Sequence, residues 1–165
     1  MEIERKFLIN KLPEDIDSYP HELIRQAYIS TDPVIRIRRK GESFILTVKS
    51  SGLMAREETE LSISEKSFDQ LMTKTEGLVI EKVRYKIPER DQLTIELDVF
   101  QGVYAGFIMA EVEFEDISQA RAYLPPAWFG REVTEDTDFH NSTLSRRTPQ
   151  DIVLFFEKIE RLTQS

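Results

Sequence analysis

Glu2, Glu4 and Lys6 open the chain at a spacing of two, within M-E-I-E-R-K-F-L-I. On a strand, residues two apart point to one face. Two carboxylates and an ammonium therefore share a side, and Ile3, Arg5 and Phe7 form a largely apolar reverse. Carboxylates suit Mg²⁺ or Mn²⁺, and lysine suits phosphate. The trio suggests a metal site with an anion beside it. In isolation, an alternating charged edge strand explains the spacing better, so recurrence decides.

The pattern recurs along the chain. Residues 34–39 set Arg36 and Arg38 against Ile35 and Ile37, and residues 44–49 return with Thr47 and Lys49. Residues 56–63 carry Glu58 and Glu60, and residues 79–87 set Lys82, Arg84 and Lys86 against Val83 and Tyr85. Glu96 and Asp98 alternate with Ile95, Leu97 and Val99, and Glu111 and Glu113 with Val112 and Phe114. Residues 22–29 form a further strand with Ile24, Gln26 and Tyr28 on one face. An open sheet with a solvated charged face would also read this way.

Three features favour an enclosed polar face instead. The charges are grouped by strand as acidic or basic pairs, whereas solubility favours mixing. The hairpins align the pairs: Arg36 is expected opposite Lys49, Lys49 opposite Glu58, Asp98 opposite Glu111, and Arg84 opposite Glu96. Like charges facing each other destabilise a sheet, so metal ions and a polyanion would offset the acidic and basic clusters. Finally, the helices have one-sided apolar stripes that need a surface to cover. One runs from a Ser64 cap through Phe68, Leu71 and Met72, with Gly77 expected just past its end. A short one covers residues 118–124. The last, about 149–163, starts at Thr148 with Pro149 and Asp151 behind it and carries Ile152, Phe155, Phe156, Ile159 and Leu162. The outcome is a mainly antiparallel α+β fold: a closed barrel, polar inside, with helices packed outside.

Length and composition bound the rest. At 165 residues the chain is expected to be one domain, 1–165. It has no cysteine, no basic-then-apolar leader and no membrane-length apolar run, so a cytoplasmic protein away from membranes is expected. A net charge of −8 argues against a nucleic-acid partner. The only histidines, His21 and His140, lie outside the alternation and are expected to be surface or satisfied side chains.

Together these residues resemble the CYTH domain of the triphosphate tunnel metalloenzyme superfamily. The resemblance rests on E-x-E-x-K at Glu2, Glu4 and Lys6, I-R-I-R-R at 35–39, T-V-K-S at 47–50 and E-E-T-E-L at 57–61. It continues through E-K-V-R-Y at 81–85, E-L-D-V-F at 96–100, E-V-E-F at 111–114 and W-F-G-R-E-V-T at 128–134. Phe139 and His140 depart from it, standing where Lys preceded by Tyr would be expected.

The resemblance implies an eight-stranded tunnel that binds a small triphosphate with Mg²⁺ or Mn²⁺. The chain looks most like the short bacterial inorganic triphosphatases, with a class IV-type adenylate cyclase or a non-catalytic polyphosphate or nucleotide binder as alternatives. In the triphosphatases a first-strand lysine and a second-strand tyrosine work as a dyad, which Lys6 and Tyr28 match. Lys6, Arg36, Arg38, Lys49, Lys82 and Arg84 would hold phosphate oxygens. Glu2, Glu4 and Glu113 would hold one metal with Glu111 close by, and a second would lie near Glu4 and Asp98. Glu58, Glu60 and Glu96 would support these groups, Glu58 and Glu60 by orienting water or by holding the basic groups, the latter favoured for Glu60. Uncovered apolar strand faces leave room for a homodimer.

Overall fold

The computed structural model describes residues 1–164. Nine strands form one antiparallel sheet: β1 (Glu2–Leu8), β2 (His21–Thr31), β3 (Val34–Lys40), β4 (Ser43–Lys49), β5 (Ala55–Arg56), β6 (Glu58–Ser62), β7 (Glu76–Pro88), β8 (Thr94–Phe100) and β9 (Ile108–Phe114). Their order is β5-β1-β9-β8-β7-β2-β3-β4-β6. The two edges belong to one extended stretch broken at Glu57. Its start pairs with β1 (Glu2 opposite Arg56) and its continuation with β4 (Lys49 opposite Glu58). The sheet thus curls into a nearly closed barrel. The strand count is nine rather than eight because the shared stretch splits, and this seam is not sealed by a continuous ladder. Below β5, Arg131 and Val133 take over the free edge of β1, through Leu8 N to Arg131 O (2.9 Å) and Val133 N to Lys6 O (2.8 Å).

The expected strand faces hold, but three of the four expected registers are displaced by two residues. Arg36 faces Thr47, Arg84 faces Asp98, and Glu111 faces Glu96; only Lys49 opposite Glu58 stands as expected. A two-residue slip keeps every side chain on its own face, because the side-chain period is two. Alternation therefore fixes inside and outside but not depth.

Two apolar layers hold the barrel. The outer one packs Ile3, Phe7, Ile95, Leu97, Ala110 and Val112 under Ala120 and Tyr123. Ala120 belongs to α2 (Ile117–Ala122), whose Asp116 cap accepts from Gln119 N. On the opposite wall α1 (Glu65–Met72), capped by Ser64, brings Phe68 to 5.1 Å from the Phe44 ring. Arg5 locks the outer layer onto β1: it donates to Ala120 O and Tyr123 O and forks onto Glu132.

The second layer lies inside. At the lower end of the barrel the inward positions become apolar: Leu8, Ile80, Phe100 and Met109. They meet Tyr104, Phe107, Val133, Phe139, Leu144 of α3 (Asn141–Leu144) and Phe155 of α4 (Pro149–Thr163). The apolar stripe of the last helix, expected to cover the outer strand faces, therefore closes one end of the barrel instead. Its Thr148–Asp151 capping box and Pro149 fix where it starts. Gly77, expected to end α1, instead sits in β7 at φ +78°, after a helix that stops at Met72. A Cβ there would collide with Ser145 O, so glycine lets β7 approach the α3 segment closely enough for Leu78 N to donate to Ser145 O.

Candidate active site

The barrel encloses a cavity of about 240 Å³. Thirteen of the fifteen residues singled out from the sequence line it: Glu2, Glu4 and Lys6 from β1, Tyr28 from β2, Arg36 and Arg38 from β3, Lys49 from β4, Glu58 and Glu60 from β6, Arg84 from β7, Glu96 from β8, and Glu111 and Glu113 from β9. Glu60 and Glu113 are exposed at the rim, whereas Lys6 is 2% exposed at depth. Lys82 and Asp98, both 0% exposed, lie outside this lining.

Lys82 and Asp98 form a buried ion cluster with Arg84. Asp98 accepts from Arg84 Nε (2.7 Å) and Nη2 (2.8 Å), and its Oδ2 lies 2.7 Å from Lys82 Nζ. Burial opposes ionisation of Asp98, but Arg84 and Lys82 hold its carboxyl below the usual range. Lys82 shares that single carboxylate with Arg84; burial outweighs it, and the ammonium is pulled down to about 8.

Arg36 and Arg38 differ from the other cations. Each is buried, and among the described residues neither has a carboxylate within ion-pair distance. Arg36 donates to Thr47 Oγ1 (3.2 Å) and its Nε has no partner; Arg38 donates to Gln26 Oε1 (2.7 Å). Burial, then Arg36 and Arg84, pull the Arg38 guanidinium down to about 9. Two adjacent buried guanidiniums without counter-charge favour an anion in the cavity.

The opposite wall has the reverse imbalance. Glu4 faces Glu113 across β1 and β9, and Glu96 faces Glu111. Burial and then Glu111 push the Glu4 carboxyl up to about 7; burial, Glu2 and Glu96 push Glu113 up to about 7. Burial also raises Glu2, against the pull of Lys49, which lies 2.8 Å away. Glu111 is held far below the usual range: burial opposes this, and Lys6 and Arg84 overcome it. Among the described residues no three carboxylate or imidazole groups already stand as a coordination shell. Glu4 instead lies 3.5 Å from Lys6 and 3.9 Å from Arg56. The donor chemistry nonetheless fits a hard divalent cation: the oxygens of Glu2, Glu4, Glu111 and Glu113 line the cavity on neighbouring strands, and three of these groups (Glu2, Glu4 and Glu113) resist ionisation without added positive charge.

Tyr28 and Lys6 both line the cavity, and the Tyr28 hydroxyl accepts from Gln26 Nε2 (3.3 Å), joining it to the Arg38 network. Several lining residues were not singled out from the sequence. Arg56 shares parity with Glu58 and Glu60, a signal the sequence did hold, masked by Glu57 beside it. Lys40 and Val34 extend the β3 face. His140, Asn141 and Ser142 come from no strand, so alternation could not find them. His140 is not the surface or satisfied histidine expected: it is buried, and its Nε2 has no partner. His21 is exposed, with Nδ1 3.0 Å from Tyr19 O.

The barrel, its charged interior and its motif order define a family, and the comparisons agree. The chain belongs to the CYTH domain family, whose model matches residues 1–148. It is 40% identical over 152 residues to an inorganic triphosphatase of Nitrosomonas europaea, covering 90% of this chain and 99% of that one. It is 36% identical over 152 residues to an inorganic triphosphatase of Acetivibrio thermocellus, covering 87% and 92%. The crystal structure of an inorganic triphosphatase superposes with a TM-score of 0.67 at 38% identity, covering 90% of this chain and 97% of that chain. No helix among the described residues is long and apolar enough to cross a membrane.

Proposed function

We propose that this protein is a metal-dependent inorganic triphosphatase that hydrolyses tripolyphosphate to pyrophosphate and orthophosphate, using Mg²⁺ or Mn²⁺. The observation that carries this is the pair of buried guanidiniums, Arg36 and Arg38, unpaired and facing a wall of under-compensated carboxylates. A polyanion escorted by a divalent cation neutralises both sides at once. The relatives named inorganic triphosphatase support the same chemistry. The lining supports an inorganic chain over a nucleotide: apart from Tyr28, Val34 and the His140 ring it offers no apolar or aromatic side chain on which a base could stack. With no cysteine in the chain, a reducing cytoplasm suits it.

Hydrolysis breaks one bridging P–O bond and transfers the phosphoryl group to water. Positioning and charge neutralisation supply most of the catalysis in such a transfer. Arg36 and Arg38 would fork onto phosphate oxygens, and Lys49 and Arg84 would supply further charge as their present carboxylate partners are shared out. Lys6, at depth, would stabilise charge developing on the leaving group. Tyr28 would work beside Lys6 by holding Gln26, and through it Arg38, in place. Glu2, Glu4, Glu111 and Glu113 would hold the cation, which supplies Lewis-acid neutralisation of the phosphate oxygens. Glu58 and Glu96 would keep Lys49 and Arg84 oriented, as their contacts of 3.2 and 3.1 Å do now, and Glu60 would support the same face. Lys82 and Asp98 would act from beneath by fixing Arg84, leaving the cation to the four glutamates.

Arg38→Ala is expected to weaken tripolyphosphate binding about 10–100-fold, the worth of one charge-assisted hydrogen bond. Its melting temperature should stay near the parent's, because removing a buried cation that has no carboxylate partner offsets the bond lost at Gln26 Oε1. Titration calorimetry and a thermal melt check both; unfolding of the variant would mean that Arg38 is a structural group. The function itself is tested by ³¹P NMR of tripolyphosphate and ATP with Mg²⁺. Equal pyrophosphate and orthophosphate from tripolyphosphate, with ATP turned over more slowly, is the expected result. Cyclic AMP with pyrophosphate would identify a cyclase, and unchanged spectra a binder without catalysis.

A further inference from the structure

The inner end of the cavity is closed by a segment that belongs to no strand. Val133 is pinned to β1 by its bond to Lys6 O, and the chain then crosses beneath the cavity. Phe139 and Leu144 turn down into the apolar floor, while His140, Asn141 and Ser142 between them line the cavity above it. Asn141 anchors the far side, its Oδ1 accepting from Lys82 Nζ (3.1 Å) and Gln26 Nε2 (3.2 Å). The backbone at His140 is equally fixed: its N–H donates to Thr137 O, and its carbonyl accepts from Thr143 N and Leu144 N.

On this fixed backbone the His140 side chain is 9% exposed, and its Nε2 has no hydrogen-bond partner. Buried polar side-chain atoms are normally paired, and an exception calls for a ligand or another explanation. The cations acting on the ring are Lys6, Arg56 and Lys49, with Glu111 the opposing charge. Burial and those cations pull its pKa down to about 4, so the ring is neutral at pH 7 and offers one N–H donor and one acceptor. A cation here would add to a wall already rich in positive charge. A neutral donor can complete the contact to an anion without that repulsion.

A linear chain entering from the rim presents its end to this floor first. We propose that His140 donates a hydrogen bond from Nε2 to the terminal phosphate of the bound chain, so that the site takes polyphosphates by a free, unesterified end. This rests on the triphosphatase assignment above and adds a substrate contact to it.

The chain has two histidines, and His21 is a built-in control outside the cavity. The test is long-range ¹H–¹⁵N NMR of both rings in the full-length protein with Mg²⁺ and imidotriphosphate, whose NH bridges resist hydrolysis. Movement of the His140 Nε2 resonance together with tunnel backbone amides, with His21 still, supports the proposal. Moving tunnel amides with an unmoved His140 overturn it and leave the triphosphatase assignment standing. Tunnel amides that do not respond overturn both. Independently, His140→Ala is expected to raise KM for tripolyphosphate about tenfold with kcat little changed, the signature of lost uniform binding. His140→Phe, which keeps the floor filled, should do the same; unchanged KM in a folded variant contradicts the contact.

Discussion

Glu4→Gln is expected to abolish metal-dependent phosphate release and, at the same time, to stabilise the metal-free protein at pH 7.5. The loss of activity should be at least about a hundredfold, since one of four cavity carboxylates facing the cation is neutralised. The gain in stability follows from where Glu4 titrates. Its carboxyl sits at about 7 in the folded protein against 4.5 ordinarily, with burial and then Glu111 as causes. Between those values the folded state keeps a proton that the unfolded state has released, so stability falls as pH rises through the window. At pH 7.5 this amounts to about 3 kcal/mol, and glutamine, resembling the protonated acid, removes it. Glu113 declines over the same window. His140, pulled down to about 4, works in the opposite sense up to about 6.5. The Glu4 charge is among the causes that raise Glu113, so the Glu113 shift shrinks in the variant and adds to its gain, whereas His140 is common to parent and variant. Thermal melts in EDTA should show the variant's advantage growing from pH 5 to pH 7.5, to several degrees. A variant no more stable than the parent at pH 7.5 would mean that Glu4 is already compensated.

Asp98→Ala is expected to do the reverse: little of its effect arises at the cation and most of it in the fold. Both Lys82 and Asp98 are fully buried, and Arg84 spends two of its hydrogen bonds on Asp98. Removing the carboxylate leaves two buried cations with one rim carboxylate, Glu96 at 3.1 Å, and the distant Glu111. Breaking a buried ion pair from one side costs about 3–5 kcal/mol. Part of that loss should be recovered at high pH. Lys82 already titrates near 8, below its ordinary 10.5, and without Asp98 it sheds its proton more easily still. A lysine whose folded pKa is depressed gains stability as pH rises through the folded value. Urea denaturation at pH 7 and pH 9 checks this; a variant as stable as the parent at pH 7 would show that the ion cluster contributes nothing net.

These two residues also mark what sequence conveys here and what it does not. Alternation from Glu2 to Glu113 separates inside from outside correctly, because only a period of two puts Arg36, Lys49 and Glu111 on one face while Ile37, Leu46 and Val112 occupy the other. It says nothing about depth. Asp98 and Glu96 have the same parity, yet Glu96 lines the cavity and Asp98 is sealed beneath it. The displaced registers share that origin, since a slip of two residues preserves every face. The floor escaped for a different reason. His140, Asn141 and Ser142 are placed by the 3₁₀ turn at Thr137–Phe139 and by the packing of Phe139 and Leu144, and tertiary packing of that kind has no sequence period to read.

Steady-state phosphate release from tripolyphosphate, measured with Mg²⁺ or Mn²⁺, then with excess EDTA, then with the metal restored, tests the central claim most directly. Release that stops with EDTA and returns with metal, at a rate well above that with ATP, is the expected result. Release that continues undiminished in EDTA, or no release despite tight tripolyphosphate binding, would contradict a metal-dependent triphosphatase.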